Sequence, residues 1–248
     1  MDFIYQILIL FVVGSLSGFL NVMAGGGSAL TLPTLIFLGL DSAVANGTNR
    51  IAIIAQSIAA VYSFKKENYF DMKLSLYLSL YTLPGAVIGA LLSIQLNDEY
   101  FKIILGAINI FIILTLFIPK KKSSSSANPE KMNWKLALSL IFIGFYGGFI
   151  QVAAGFMIMA ALQNFLKVDL VRVNMYKVFL ALIFTIPAFL VFIINGKVDF
   201  VLGIALASGN VFGAWQSVRI SVRKGEKVIK IFLTIAIIII SLKLFGLF

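Results

Sequence analysis

The sequence contains no cysteine and no histidine among its 248 residues. Without cysteine there is no disulfide framework, no thiol chemistry and no cysteine metal site. Without histidine the chain lacks the commonest protein metal ligand and the usual acid–base group near neutral pH. Charged residues make up only 12% of the chain, against about a quarter in a soluble domain. Because 60% of the residues are hydrophobic, this scarcity of charge excludes a soluble enzyme and indicates an integral membrane protein.

Acidic residues are missing from the middle of every apolar stretch, and all ten lie in predicted loops or at segment ends. This placement argues against a cation pathway and against a carboxylate proton relay through the membrane. The sequence also has no nucleophile–base set, no phosphate-binding P-loop and no metal-ligand cluster. We therefore expect no enzyme activity, no ATP-driven transport, no bound metal and no cofactor.

The apolar residues come in blocks of about twenty, so roughly eight to ten membrane segments would use the whole chain. The sequence thus predicts an all-α polytopic membrane protein with the lipid bilayer as a partner. A net charge of +10 would suggest nucleic acid in a soluble protein, but loop lysines and arginines hold the cytoplasmic ends of membrane proteins. We expect no nucleic-acid partner. The first stretch, 3–24, is interpreted as a retained span because no basic region precedes it.

The chain is interpreted as one unit used twice. The first membrane repeat is 1–119, a Lys- and Ser-rich cytoplasmic linker is 120–133, and the second repeat is 134–248. Each repeat has about five segments. Ordered matches recur at nearly constant offsets: Gly14, Gly18 and Asn21 with Gly144, Gly148 and Gln151; Asp41, Asn46 and Asp71 with Asp169, Asn174 and Asp199; Gly85 and Gly89 with Gly209 and Gly213.

The two repeats are predicted to be inverted. The stretches 28–40 and 156–166 are too short to span unaided, so each forms a broken or re-entrant hairpin with the preceding helix. Five segments per repeat, an odd number, then give opposite orientations. With a cytoplasmic linker, 16 of the 20 lysines and arginines fall in the inside loops 65–73, 120–135, 167–177 and 219–230, as the positive-inside rule requires.

The strongest local feature is a run of three glycines, Gly25, Gly26 and Gly27, between the apolar stretches 3–24 and 28–40. Backbone groups exposed by a broken helix must be buried in protein or line a wet cavity. A half-helix beginning near Ser28 would direct its positive end at an anion there. The equivalent break at Gly155 lacks two of the glycines. Other glycines four residues apart are interpreted as close helix contacts: Gly14, Gly18, Gly85, Gly89, Gly144, Gly148, Gly209 and Gly213.

Two amides, Asn21 and Gln151, precede the two breaks by one helical turn. They could meet on one ligand near the middle of the membrane. Alternatively each could hydrogen-bond a neighbouring helix, which is the commoner role of an intramembrane amide.

A second polar cluster opens the third segment of each repeat, and it ends in a cation. Arg50 is either an interface anchor whose head group reaches water or, with Lys177, one of two cations that attract an anion. An arginine fork suits carboxylate, sulfonate or sulfite oxygens. The candidate binding residues of the cluster are Asn46, Thr48, Asn49, Arg50, Asn174 and Lys177.

The glycine run Ala24–Ser28, Pro33, the segment Ala45–Arg50 and Asp71, in a duplicated chain of this length, resemble the sulfite exporter TauE/SafE family of membrane permeases. The resemblance covers essentially the whole chain. It implies permeation of small sulfur-containing anions, such as sulfite or organosulfonates, across the bacterial inner membrane. The second half departs from the glycine-rich pattern at Phe156 and Met157.

We therefore expect a secondary permease that exports a small anion. An inside-negative potential favours anion exit by about 2.3 kcal/mol per charge per 100 mV, so no further energy source is required. The alternatives are a permease for a neutral solute or metal ion, an intramembrane enzyme, and a non-transporting scaffold. A homo-oligomer is compatible with the sequence.

Overall fold

The computed structural model describes residues 3–105, 107, 134–166 and 168–244, with side chains as far as residue 224. Over these ranges all regular structure is helical, which confirms the predicted all-α class. The linker 120–133 and most of the predicted segment 101–119 lie outside the described residues.

The helices of the first half are α1 (Phe3–Met23), α2 (Ser28–Phe37), α3 (Ser42–Lys66), α4 (Met72–Leu80), α5 (Leu83–Ser93) and α6, which is helical from residue 98 through 105. Those of the second half are α7 (Trp134–Phe149), α8 (Ala154–Phe165), α9 (Leu170–Ile194) and α10 (Phe200–Leu244). Both halves thus begin with a helix, a break, a short helix and a helix of 25 residues.

Three helical stretches in the described residues are long and apolar enough to cross a membrane: α1, α9 and the Phe200–Lys224 part of α10. Helices α4 and α5, bent by 48°, make a fourth when taken together. The bend lies just before Pro84, whose ring and missing N–H interrupt a continuous helix. These spans confirm a multi-pass membrane protein.

Three of the four recurring aspartates cap the start of a helix with their side chains, and Asp41 before α3 does not. The Asp71 carboxylate accepts the N–H of Leu74 at 3.2 Å, and the Asp169 carboxylate accepts the N–H of Arg172 at 2.9 Å. Asp199 accepts the N–H of Leu202 at 2.9 Å in the same way. Side-chain oxygens at this position satisfy N–H groups that the first helical turn leaves unpaired. Helix capping therefore explains these acidic residues at segment ends.

The glycines spaced four apart bring helices into backbone contact, which confirms their predicted packing role. In the α1–α10 interface, a Cβ added to Gly18 would collide with the Asn210 carbonyl, and one added to Gly213 with the Ser15 carbonyl. In the α5–α7 interface, a Cβ on Gly89 would collide with the Phe145 carbonyl. The first helix of each half, α1 or α7, thus packs through equivalent glycines against the glycine-containing helix of the other half, α10 or α5, as a duplicated unit would produce. The opposite orientation of the halves stays a prediction.

The predicted loop at 219–230 is wrong, because α10 is continuous from Phe200 to Leu244. The segment has no proline and one glycine, Gly225, and its arginines, lysines and glutamate are good helix formers. Charged residues indicate that this part of the helix contacts water, but they do not terminate the helix. Likewise Lys177, counted in the predicted loop 167–177, lies within α9.

Candidate functional site

A cavity of about 30 Å³ lies where the two breaks meet α3 and α9. This volume is enough for about two water molecules. Five of the predicted binding residues line it: Asn21, Ser28, Gln151, Gly155 and Lys177. The rest of the described wall is formed by Ile53, Gln56, Ser57, Ala154, Ile158, Val178, Ala181 and Phe184, so no acidic residue is among the residues that line it.

The first break is shaped by its glycines and by Asn21. The N–H groups of Ala24 and Gly25 donate to the carbonyl of Leu20 at 2.7 and 3.0 Å and close helix α1. Gly25 has a φ of +95°, a conformation that glycine adopts without the Cβ clash of other residues. The N–H of Gly27 then donates to Asn21 Oδ1 at 3.1 Å. Helix α2 begins at Ser28, which confirms the predicted half-helix.

The second break achieves the same interruption without a glycine run. Gln151 and Ala153 have φ values of 62° and 57°, left-handed conformations that are uncommon outside glycine. The hydroxyl of Tyr146 donates to the carbonyl of Val152 at 2.6 Å and fixes the intervening turn. In the second break, the strained residues Gln151 and Ala153 therefore take the place of the glycines found in the first break.

The two breaks touch each other through their backbones. A Cβ on Gly155 would lie 2.5 Å from the Gly25 Cα, so each position accepts only glycine. This contact brings the N-terminus of α2, at Ser28, and that of α8, at Ala154, to the same cavity. Helix N-termini carry partial positive charge, which favours an anion.

Two carboxamides on the wall are oriented by bonds to their oxygens. Asn21 Oδ1 accepts the N–H of Gly27, and Gln56 Oε1 accepts from Asn210 Nδ2 at 3.1 Å. With the oxygens held in this way, the NH₂ groups are the donors that these two amides can offer to a ligand in the cavity. The Ser57 hydroxyl, also on the wall, is buried without a protein partner among the described residues. These groups are hydrogen-bond donors.

The third amide, Gln151, donates from Nε2 to the Thr185 hydroxyl oxygen at 2.7 Å, while its Oε1 is buried without a partner among the described side chains. A half-turn of this amide would let the Thr185 hydroxyl donate to Oε1 and would free the NH₂ group.

Lys177 is the cation on the cavity wall, and its side chain is only 2% exposed. Its Nζ donates to the carbonyl of Val22 at 2.6 Å and to Asn174 Oδ1 at 2.8 Å. A weaker contact, 3.6 Å, joins it to Met159 Sδ. An ammonium has three donors, so the one on the sulfur is available to a better acceptor. Asn174 positions Lys177 and does not line the cavity itself.

Arg50 is fully buried but does not line the cavity. Its guanidinium donates to the carbonyls of Gly147, at 3.3 Å, and Gly148, at the end of α7, and to Asn46 Oδ1 at 3.4 Å. The group also lies over the ring of Phe192, 4.7 Å from its centroid. The interface-anchor interpretation is wrong, because an anchoring arginine keeps its head group in water.

The buried positions of Arg50 and Lys177 also affect the charge count behind the predicted topology. Leaving both out of the count removes one cation from the outside and one from the cytoplasmic side, so the excess of cytoplasmic charge is unchanged.

The remaining predicted residues join helices. Asn46 Nδ2 donates to the Ser93 hydroxyl at 2.9 Å and to the Phe149 carbonyl at 2.7 Å. The Thr31 hydroxyl donates to Asn49 Oδ1 at 2.7 Å. Thr48 Oγ1 accepts the N–H of Asp199 at 2.8 Å. Gly26 packs on the ring of Phe156 and Gly27 on the Ser17 carbonyl.

Neither buried cation forms an ion pair within the residues that the structure describes. Burying an unpaired charge is costly, and backbone carbonyls offset this cost only in part. An anion in the cavity would supply the missing opposite charge beside Lys177. The arrangement of one ammonium, two helix N-termini and several amide and hydroxyl donors can therefore bind a small anion.

No sequence pattern described above singles out Gln56, Ser57, Thr185 or Asn210, which line the cavity or bond to residues that do. For α3 a signal was available. Asn46, Asn49 and Arg50 lie three and four residues apart, and the same spacing continues through Ile53 to Gln56 and Ser57. A polar stripe sustained over three turns of a membrane helix indicates a buried polar face, not only a helix start.

Comparison with known proteins identifies the family of the chain. The model of the sulfite exporter TauE/SafE family matches residues 10–244. The chain is 30% identical over 242 residues to the probable membrane transporter protein YfcA of Escherichia coli strain K12, covering 95% of this chain and 88% of that protein. It is 28% identical over 236 residues to the probable membrane transporter protein ORF9 of Sinorhizobium sp, covering 95% and 90%. No solved structure matches the chain. The chain therefore belongs to the sulfite exporter TauE/SafE family of membrane transport proteins.

Proposed function

We propose that the protein is a secondary permease that exports a small sulfur oxyanion, sulfite or a compact organosulfonate, through the cavity beside Lys177. The observation that carries this proposal is a buried ammonium on the cavity wall that has no carboxylate partner among the described residues. The family match supports permeation, and the chemistry of the wall supports an anion as the cargo.

Each oxygen of the anion meets a donor in the proposed binding mode. One oxygen accepts from Lys177 in place of the Met159 sulfur. Others accept from the NH₂ groups of Asn21 and Gln56 and from the Ser57 hydroxyl. Hydrogen bonds to a charged partner contribute about 1.5–3 kcal/mol each, roughly twice a neutral one. A neutral solute would leave the ammonium uncompensated, and a cation would be repelled.

The small cavity, about 30 Å³, favours a compact ligand. Apolar side chains of Ile53, Ile158 and Phe184 close the wall and leave little space for a long organic tail. We therefore rank sulfite and one-carbon sulfonates ahead of larger sulfonates as substrates.

Export follows from charge and from the membrane in which we place the protein, the bacterial inner membrane. An inside-negative potential drives an anion outward by about 2.3 kcal/mol per charge per 100 mV. The sequence contains no P-loop, which agrees with a permease that uses this gradient without nucleotide hydrolysis.

The proposal is tested by flux in proteoliposomes that contain the purified full chain. Sulfite, methanesulfonate, sulfoacetate, sulfate, acetate and glycerol are compared, with and without a potassium-valinomycin potential. We expect sulfite flux that a potential positive on the acceptor side accelerates, with weaker sulfoacetate flux. Protein-free liposomes and the Lys177→Gln variant are the controls. Glycerol flux above that of protein-free liposomes without sulfite flux, or equal sulfite flux in Lys177→Gln, would refute anion permeation at this site.

A further inference from the structure

A second polar pocket, of about 290 Å³, lies between the C-terminal end of α3 and the middle of α10. We call it the basic pocket. The residues that define it here are Tyr62, Lys66, Glu67, Trp215, Arg219 and Arg223. None of them lines the central cavity, so the basic pocket is separate from the proposed permeation site.

The pocket lies at one face of the membrane. Helices α3 and α10 run side by side in the same direction, because Thr48 contacts Asp199 and Gln56 contacts Asn210. The 18 residues from Thr48 to Lys66 rise about 27 Å at about 1.5 Å per residue, close to the ~30 Å hydrocarbon core. The pocket is thus one bilayer core away from the Asp199 end, and the charge pattern assigns it to the cytoplasmic face.

The chemistry of the basic pocket suits a phosphate. Arg219 and Arg223 are one helical turn apart, and Lys66 joins them from α3. Among the described residues that line the pocket, Glu67 is the one acid, so the pocket carries a net positive charge. Arginine forks bind phosphate oxygens through two parallel hydrogen bonds.

The aromatic side chains favour a lipid over a free ion. Trp215 and Tyr62 are 44% and 70% exposed, and the Arg219 guanidinium lies 5.7 Å from the centroid of the Trp215 ring. Tryptophan and tyrosine at headgroup level contact the glycerol and upper acyl region of a lipid. Basic pockets between helices on the cytoplasmic side bind anionic headgroups.

We propose that the basic pocket binds the phosphate headgroup of an anionic phospholipid of the cytoplasmic leaflet. Because α3 belongs to the first half and α10 to the second, the bound lipid would hold the two halves together beside the central helices. This role is independent of which substrate the cavity carries.

The test compares two double variants that lose equal charge from the same two helices. Arg219→Gln is combined with Lys66→Gln in the pocket variant. The control combines Lys65→Gln with Lys224→Gln, both exposed and outside the pocket lining. The purified proteins are mixed with phosphatidylglycerol or phosphatidylcholine, and retained lipid is counted by native mass spectrometry. Inorganic phosphate is added as a competitor.

We expect wild type and control to retain phosphatidylglycerol in preference to phosphatidylcholine, and the pocket variant to bind it at least tenfold more weakly. Equal weakening in both double variants would mean a diffuse surface charge effect and would overturn the proposal. Displacement of the lipid by millimolar inorganic phosphate would assign the pocket to a free anion and overturn the lipid assignment. Neither result depends on transport, so the inference fails or stands separately from the proposed function.

Discussion

Arg50 and Lys177 begin as matching features of the two halves, yet the structure gives them different surroundings. Each is buried, each contacts the asparagine one turn before it, and each donates to backbone carbonyls near the end of the other half's first helix. Arg50 is enclosed by carbonyls and by the Phe192 ring, away from the cavity. Lys177 lies on the cavity wall with one donor on a sulfur.

The difference teaches that burial of a cation does not by itself assign a binding role. Arg50 uses its fork to hold the end of α7 against α3, so we infer that it stabilises the assembly of the two halves. Lys177 holds the end of α1 through Val22. Each cation keeps one donor without a strong partner, Arg50 Nε and the Lys177 donor on the Met159 sulfur, but of the two only Lys177 lines the cavity. We infer that Arg50 is structural, and we propose that Lys177 both positions a helix and binds substrate.

The largest expected effect is on transport when Lys177 is replaced. Lys177→Gln removes a charged hydrogen bond worth about 1.5–3 kcal/mol, so we expect sulfite flux per inserted molecule to fall roughly ten- to a hundredfold. Flux in proteoliposomes, normalised to inserted protein, measures it. The control is Lys73→Gln, which removes an exposed lysine and should leave flux unchanged. Normal flux in Lys177→Gln would contradict a binding role for Lys177 that Arg50 lacks.

Replacing Arg50 is expected to act on stability and not on transport. Arg50→Gln leaves the Gly147 and Gly148 carbonyls short of donors, which costs about 1–3 kcal/mol for each buried group left unpaired. We expect a lower thermal unfolding midpoint and a lower yield, with flux per inserted molecule within about twofold of wild type.

Arg50→Lys sharpens this prediction, because one donor and the charge are kept while the fork is lost. Its unfolding midpoint should lie between those of wild type and Arg50→Gln. If normalised flux in Arg50→Gln instead falls as far as in Lys177→Gln, both cations bind the anion and the comparison fails.

Replacing the asparagine one turn before each cation should show the same difference between an effect on transport and an effect on stability. Asn174→Ala removes the Oδ1 acceptor that positions Lys177 but keeps the charge, so we expect a fall in sulfite flux of about fivefold, which corresponds to about 1 kcal/mol. Asn46→Ala removes contacts to Ser93 and Phe149 and should mainly lower the unfolding midpoint. Paired flux and melting measurements on both variants decide the matter, and equal flux losses would contradict it.

The smallest effect is expected at Ser57, whose hydroxyl we assign as a neutral donor to the anion. In Ser57→Ala a water molecule can take the place of the lost hydroxyl, so we expect a net loss of only about 0.5–1.5 kcal/mol, and the apparent affinity for sulfite should weaken roughly two- to tenfold while the maximal flux is kept. Ser63→Ala, a serine of the same helix outside the central cavity, is the matched control. An affinity loss shared by both variants would remove Ser57 from the binding site.

Local patterns predicted the features that depend on local chemistry. The glycine run predicted the break before Ser28, because three glycines weaken a helix wherever they occur. The spacing of Gly14, Gly18, Gly209 and Gly213 predicted close helix contacts.

Other features depend on tertiary packing, and the sequence could not supply them. The second break rests on left-handed Gln151 and Ala153, which surrounding contacts hold and no propensity predicts. The partners of Arg50 are carbonyls about a hundred residues away. The basic residues within α10 favour a loop prediction because charge indicates contact with water. Charge does not determine the backbone conformation, and the segment is helical.

The central claim is that Lys177, and not Arg50, binds the anion. Its most direct test is sulfite binding to purified wild type, Lys177→Gln and Arg50→Gln by isothermal titration calorimetry in detergent, with chloride of equal ionic strength as the blank. The account predicts saturable binding to wild type, similar affinity in Arg50→Gln, and affinity weakened at least tenfold in Lys177→Gln. Wild-type affinity in Lys177→Gln, or lost binding in Arg50→Gln alone, would contradict it.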